Sequence, residues 1–468
     1  MDQHFDLVVI GSGSGNSILD ERFADLKAAV VERGLGPLGA FGGTCLNAGC
    51  IPTKMFVHTA DTALAPEHGA ALGLDLTLGP VDWKAVRERV FGRIDPIAAA
   101  GERHRADGTP NVTLIRGTAR FTGERRLSVE TADGRLDLTA DQVVVATGSR
   151  PIVPDIPGLD AGLGFRTSDD VMRMESLPGH LTVLGGGVVA AELAHVFAAL
   201  GVEVTVLARG EALLGAEDAD IARRFTDLAL TRWDVRLRHT LVGARRDRGR
   251  LRLDVDGPEG RSTVVTDELL VATGRRPNSD LVDARAGGLA LHPDGRIAVD
   301  ARQATSVPGV WALGDVSSPF QLKHVANHEA RTVRHNLLHP DAPRRTDHRH
   351  VPHAVFSHPA VAAVGLTEQQ AEATGQRYVT ATRPYSSTAY GWALEDTTGF
   401  VKLLADPATG RLLGAHILGP DAPVLVQPLV QAVSLGTDVT TLAHGQYWIH
   451  PALPEVIENA LLDLPLDG

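Results

Sequence analysis

The 468 residues carry a formal net charge of −12 and a pI near 5.9, which argues against non-specific nucleic-acid binding, since that needs a basic surface. No apolar run approaches the roughly 18–20 residues that span a bilayer, and no basic patch followed by an apolar stretch opens the chain, so a cytoplasmic location is expected. Length allows roughly two to four domains, each able to bury a core without disulfide staples.

Phe5 to Ile10 has the apolar run of a buried strand and ends in Gly11-Ser12-Gly13-Ser14-Gly15-Asn16. A helical stretch is expected next, then a second strand from Ala28 to Val31, closed by Glu32. Strand, glycine turn, helix, strand and acid, with the acid about twenty residues past the glycines, form the context of a dinucleotide-binding unit. Glycine lets the backbone approach a pyrophosphate, and a helix N-terminus offers it free N–H groups. Glu32 is expected to accept hydrogen bonds from a ribose. The place of the third glycine falls on Asn16, with Gly15 beside it to relieve the packing. A plain strand–turn–helix without ligand is the bland alternative.

Next come the chain's two cysteines, in Gly42-Gly43-Thr44-Cys45-Leu46-Asn47-Ala48-Gly49-Cys50-Ile51-Pro52-Thr53-Lys54. In a reducing compartment such a pair is more often catalytic or metal-binding than structural. Zinc needs two further ligands, and no histidine or third cysteine is close in sequence. A staple closing so short a loop gains little. A redox-active pair at a loop-to-helix junction fits best, because the helix N-terminus favours a thiolate. No metal site is expected.

The nucleotide pattern returns at Leu181–Leu184, which leads to Gly185-Gly186-Gly187-Val188-Val189-Ala190, a helix to about Leu200 and a strand from Val202 to Leu207. Where an acid would select the 2′-hydroxyl of NAD stand Ala208 and Arg209, and an arginine there suits the 2′-phosphate of NADPH; a solvated surface arginine is the other reading. A shorter echo relates Val143–Pro151, with Thr147-Gly148, to Leu269–Pro277, with Thr273-Gly274. Each closes a nucleotide-type unit.

Val310-Trp311-Ala312-Leu313-Gly314-Asp315 reads as a buried strand with a polar stop, and Lys323, His324, His328 and Glu329 as a polar helix start. His339 to His353 reads as a linker. Strand-like Phe400–Leu404 and Leu412–Leu418, then a helical run at Val424–Leu435, suggest a separate α+β domain. Near the end lies Trp448-Ile449-His450-Pro451-Ala452-Leu453-Pro454-Glu455. A histidine can protonate a leaving thiol and a carboxylate can orient it, yet a lone histidine beside proline is more often structural.

Taken together, Gly-Gly-Thr-Cys-x4-Cys-Ile-Pro-Thr-Lys, the two glycine turns and the C-terminal His-Pro resemble the class I pyridine nucleotide-disulfide oxidoreductases over essentially the whole chain. The resemblance implies an α/β fold of the glutathione reductase type: two Rossmann-like dinucleotide-binding domains and a C-terminal α+β dimerisation domain. It divides the chain into residues 1–150 and 276–345 for FAD, 151–275 for NADPH and 346–468 for dimerisation. Gly11, Gly13, Gly15, Asn16, Glu32, Gly43, Thr44, Thr147, Gly148, Asp315, Lys323, His324 and Val325 would hold FAD. Gly185, Gly187, Val188, Ala190, Arg209 and Gly274 would hold NADPH. Cys45 would attack a substrate disulfide, and Cys50 would face the flavin as the charge-transfer thiolate. Lys54, paired with Glu192, would sit near flavin N5, and His450 with Glu455 would form an acid–base pair reaching the site of the other subunit of a homodimer. Gly11–Ala24, Phe91–Pro96, His324–Asn336, Ala389–Trp392 and Gly445–Glu455 are most similar to the branch of the family that reduces the small-molecule disulfide of mycothiol (mycothione).

The chain departs from the family pattern in four places. Val188 stands where an aromatic gate is usual, Gly215 where a second 2′-phosphate arginine is expected, and Ala452 where Thr is common. Lys323-His324 resembles lipoamide dehydrogenase more than glutathione reductase. Lipoamide dehydrogenase, or another low-molecular-weight disulfide reductase, is therefore the alternative within the family. A flavoprotein redox sensor or structural subunit without turnover is the alternative outside enzymology; retention of both cysteines, Lys54, Glu192, His450 and Glu455 speaks against it.

Overall fold

The computed structural model describes residues 3–36 and 38–467. The first sheet has seven strands. Its parallel part runs Val112–Arg116, Ala28–Glu32, Gln3–Ile10, Gly134–Val145 and Val310–Ala312. Two antiparallel strands, Arg126–Thr131 and Thr118–Gly123, extend it. The central strand carries Leu7, Val8, Val9 and Ile10, all buried. Such continuous apolar runs mark parallel strands covered on both faces. The late strand Val310–Ala312 returns to this sheet and so brings Asp315 to the strand ends that carry Gly11 and Thr147.

A second, four-stranded parallel sheet is built from Asp234–Leu237, Glu203–Ala208, His180–Leu184 and Glu268–Val271, with the helix Val188–Ala199 directly after its glycine turn. A three-stranded antiparallel sheet spans Thr240–Thr266. The two echo segments pair with one another: Arg275 opposes Pro151, Arg276 opposes Arg150 and Pro277 opposes Ser149. The internal repeat thus forms a two-stranded ribbon between the two nucleotide units.

Residues 353–418 form a five-stranded antiparallel sheet in the order His353–Val355, Val361–Gly365, Leu412–Leu418, Phe400–Ala405 and Val379–Pro384. Helices Ala422–Leu435 and Glu455–Leu462 bury Leu425, Leu429, Val456 and Ile457 against Val401, Leu403 and Ile417. Among the described residues, no helix is long and apolar enough to cross a membrane.

One sequence expectation fails here. No α-helix follows the first glycine turn; Ser14–Ser17 and Glu21–Phe23 are short 3₁₀ turns instead. The residues explain it. Ser17 Oγ donates to the carbonyl of Ser14 at 2.7 Å, and Asp20 Oδ1 accepts from Arg22 N at 3.1 Å. Ser, Asn and Asp compete in this way with helical backbone bonds. Ile18, Leu19 and Phe23 still reach the core, so the segment covers the sheet without a helix. Gly15 has the packing role: a Cβ there would lie 2.4 Å from Ala146 Cβ. Asn16 has another task, for its Oδ1 accepts from Arg105 Nε at 2.7 Å.

Candidate active site: a cysteine pair at the mouth of a glycine-walled cavity

Cys45 lies on the short helix Gly43–Asn47, and Cys50 is the first residue of the helix Cys50–Ala63. The four-residue spacing therefore folds the second cysteine back over the first across one sharp turn. Both line a cavity of about 370 Å³ that continues between the two nucleotide units. Its walls hold Gly11, Gly13, Glu32, Gly43, Thr44, Thr147, Gly148, Val188, Glu192, Asp315 and Lys323 from the expected set.

The electrostatics around the sulfurs are unequal. The Cys50 thiol donates to Cys45 and, against the opposing effect of burial, Lys323 and the backbone N–H groups of Cys50 and Ile51 add to it, so the Cys45 thiol falls from its ordinary 9.0 to about 7. Cys50, whose proton is held by that same bond and which is further disfavoured by burial, is pushed up. Without a flavin, the protein's own groups thus favour the thiolate on Cys45, the sulfur to which the resemblance gives the attack on substrate; the charge-transfer role that the resemblance gives Cys50 belongs to the state with flavin bound. The backbone N–H of Cys50 acts on both sulfurs, and that of Ile51 adds to Cys45.

Lys54 and Glu192 are another difference. They make no direct ion pair among the described residues. Lys54 Nζ lies 4.3 Å from the centroid of the Phe356 ring, and Glu192 Oε1 accepts from Phe356 N at 2.9 Å. Phe356, which lines the cavity, stands between them. Burial raises the Glu192 carboxyl to about 7.

Glu32 accepts from Ser12 N and from Gly34 N, each at 2.6 Å, which fixes its carboxylate at the cavity wall. Asp315 Oδ2 accepts from Ser149 Oγ at 2.6 Å, and Arg275 Nε donates to Ser149 Oγ at 2.8 Å. Lys323 Nζ donates to Ser14 Oγ at 2.8 Å, and Ser14 Oγ to Asn327 Oδ1 at 3.1 Å. Thr147 Oγ1 is buried and has no hydrogen-bond partner among the described residues.

Several expected residues stand elsewhere. His324 Nε2 meets the carbonyl of Pro352 at 2.8 Å, away from the cavity, and Val325 points into the core. Both follow from helical geometry: Lys323 and Ala326, three residues apart on one face of the helix Lys323–Leu338, line the cavity, and the two residues between them project elsewhere. Gly15, Asn16, Gly185, Gly187, Ala190, Arg209 and Gly274 are not on its walls. Gly185 (φ +137°) would place a Cβ 2.2 Å from the carbonyl of Ala272. Arg209 makes no side-chain hydrogen bond or ion pair among the described residues. His450 Nδ1 lies 2.7 Å from Glu455 Oε1, on a surface away from the chain's own cysteines, with the His450 side chain 70% exposed.

A family model described as "Pyridine nucleotide-disulphide oxidoreductase" matches residues 5–330, and one described as its "dimerisation domain" matches residues 351–461. The chain belongs to the pyridine nucleotide-disulphide oxidoreductase family. It is 51% identical to the mycothione reductase of Mycobacterium tuberculosis, covering 98% of this chain and 99% of that one. It is 33% identical to a dihydrolipoyl dehydrogenase of Halobacterium salinarum, over 97% and 96%. Among solved structures, the HOCl-induced flavoprotein disulfide reductase RclA of Escherichia coli superposes with a TM-score of 0.85 at 28% identity, over 98% of this chain and 99% of that one. The α/β architecture, with two dinucleotide units and a C-terminal α+β domain, is that of the family.

Sequence reasoning missed Ser149, Arg275, Phe356 and Asn278, which all line the cavity. The echo held a signal for two of them. Ser149 and Arg275 follow the two Ala-Thr-Gly turns at matching positions, and they bond across the ribbon. Phe356 carries no local signal.

Proposed function

We propose that this protein is a flavin-dependent, NADPH-consuming reductase of mycothione, working as a homodimer in the cytoplasm. The observation that carries the reading is the Cys45–Cys50 pair, with its charge on the outer-attacking sulfur, at the mouth of a cavity suited to a dinucleotide. The whole-length identity to a mycothione reductase supports the substrate, and the matched dimerisation domain supports the dimer.

The residues present fit an FAD. Thr147 Oγ1 is a buried hydroxyl lacking a partner, Glu32 is a carboxylate with lone pairs left for ribose hydroxyls, and Gly11, Gly13 and Gly43 leave room for phosphates. Asp315, oriented by Ser149, completes the polar wall, with Lys323 as its cation. Bound there, FAD supplies two-electron transfer from NADPH to the sulfur pair. The remaining chemistry belongs to the chain. With the pair reduced, the Cys45 thiolate attacks one sulfur of mycothione, forming a Cys45–mycothiol mixed disulfide and releasing a thiolate. His450 of a second copy, held by Glu455, delivers the proton to that leaving sulfur. The now neutral His450 of the second copy takes the Cys50 proton, Cys50 attacks Cys45, the Cys45–mycothiol bond breaks as the protein disulfide closes, and the same proton passes to the second mycothiol as it leaves. Arg209 is assigned to the 2′-phosphate of NADPH.

The test is NADPH oxidation by the purified holoenzyme with mycothione, glutathione disulfide and lipoamide in turn. The reading expects kcat/KM to be highest for mycothione. A preference for lipoamide with NADH, or no turnover with any of the three, would replace it.

A further inference from the structure

Lys402 is 2% exposed and lies on the strand Phe400–Ala405 of the C-terminal sheet. Its Nζ meets three carboxylates: Asp218 at 2.8 Å, Asp220 at 2.6 Å and Glu368 at 2.6 Å. Asp218 is fully buried and caps the helix Ala219–Leu230 of the second nucleotide unit. Around this centre, Glu217 receives His353 Nε2 at 2.8 and 2.9 Å. Gln369 donates to the Glu217 carbonyl at 2.8 Å and accepts from Ala219 N at 3.3 Å. The C-terminal domain therefore grips the nucleotide unit at residues 217–220 through a strand, a helix start and a second strand.

The gripped segment ends the loop that begins at Arg209. Inside that loop Leu214 N donates to the carbonyl of Gly186, in the second glycine turn, at 2.7 Å, and Leu213 N donates to Thr226 Oγ1 at 2.9 Å. Glu217 N, next to Asp218 in the chain, donates to the Leu214 carbonyl at 2.9 Å, so hydrogen bonds and one peptide link connect Lys402 through the loop to the turn assigned to the dinucleotide phosphates. From His353 the same strand continues to Ala354, and Phe356 follows just past its end, both at the cysteine cavity. Taking so many charges out of water is costly unless all are paired, and a surface helix needs no such anchor for stability alone.

We propose that Lys402, with Gln369 and His353, forms a clamp that positions the second nucleotide unit, so that affinity for NADP(H) depends on residues of the C-terminal domain. This rests on the assignment of NADPH to that unit. Lys402 is a positioning residue, acting through Asp218 and the 209–217 loop.

The experiment titrates holoenzyme with NADP⁺ by calorimetry, comparing wild type, Lys402→Met and Gln369→Ala. NADP⁺ dissociation constants are expected to rise roughly 3- to 30-fold, the usual range for a residue that couples through a packed network. The KM for NADPH should rise with them, while kcat and the rate of Cys45 alkylation stay within about twofold of wild type. Lys402→Met leaves three carboxylates without their cation; if it does not fold, Gln369→Ala, which leaves the buried charges intact, decides. Unchanged NADP⁺ affinity in a folded variant overturns the clamp, as does an equal change in Cys45 alkylation, which signals general loosening. Failure of wild type to bind NADP⁺ removes instead the assignment on which the clamp rests.

Discussion

Reduced protein treated with iodoacetamide from pH 5 to 10 should label Cys45 first, with a midpoint near 7 rather than the 9.0 of an ordinary thiol. At pH 7 a thiol titrating near 7 is about half thiolate, against about 1% for one titrating near 9, roughly a fiftyfold gain in the reactive form. Lower basicity takes some of that back. With a Brønsted slope of about 0.4–0.5, two units cost roughly eightfold in intrinsic nucleophilicity. The net expectation is therefore alkylation roughly sixfold faster at pH 7 than for an unperturbed thiol. The ranking of causes gives an internal control. The Cys50 thiol is the largest contributor and Lys323 the largest full charge, so Cys50→Ala should move the midpoint up further than Lys323→Met. Mass mapping of the labelled peptide separates the two sulfurs. Preferential labelling of Cys50 below pH 8, or a Cys45 midpoint near 9, would refute the assignment of the charge to Cys45.

His450→Ala should lower mycothione turnover by roughly 10²–10⁴ while NADPH still bleaches the flavin absorbance at the wild-type rate; slowed bleaching would remove His450 from the thiol half of the cycle. Arg209→Ala should narrow the NADPH-over-NADH preference in kcat/KM, and an unchanged ratio would leave the arginine as a solvated surface group. Burial opposes the charge of His353, but its hydrogen bonds to Glu217 outweigh that and hold it above its ordinary 6.5. Its contribution to stability is thus complete below pH 6.5 and disappears as pH rises through the folded value. His353→Gln should accordingly flatten the fall in melting temperature above pH 6.5, and parallel curves for the two proteins would dismiss the pair as a source of pH dependence.

The site was legible where its chemistry is local. Cys-x4-Cys at a helix start, a glycine turn between two apolar strands and an acid at the second strand's end are each set by neighbours in the chain, and the structure brings them to one cavity. The missing helix after Gly15 was legible in principle, since Asn16, Ser17 and Asp20 are residues that prefer turns, but the strand–turn–helix pattern outweighed them. The Lys54–Glu192 relation was not legible, because the group that intervenes, Phe356, arrives from more than 160 residues away. The distribution of charge within the cysteine pair was not legible either. It depends on which sulfur faces the N–H groups of Cys50 and Ile51 and on Lys323, brought by a helix some 270 residues later.

The use of lysine ties these observations together. Only five of the chain's 45 basic residues are lysines, Lys27, Lys54, Lys84, Lys323 and Lys402, and arginine makes most of the surface ion pairs. Three of the five stand in confined surroundings: Lys54 against the Phe356 ring, Lys323 beside Ser14 at the cysteine cavity, and Lys402 among three carboxylates. Arginine is a planar fork suited to bidentate partners at a surface, whereas an ammonium is a compact charge on a flexible stem, with donors free to point in several directions. Lys402 needs that directional freedom to serve acids from three different segments. Lys323 needs the small head to enter the cavity beside a glycine turn. A chain that elsewhere uses arginine almost throughout thus keeps lysine where a point charge must reach into a confined space, and Lys323, not the histidine that follows it, is the full charge that acts on Cys45.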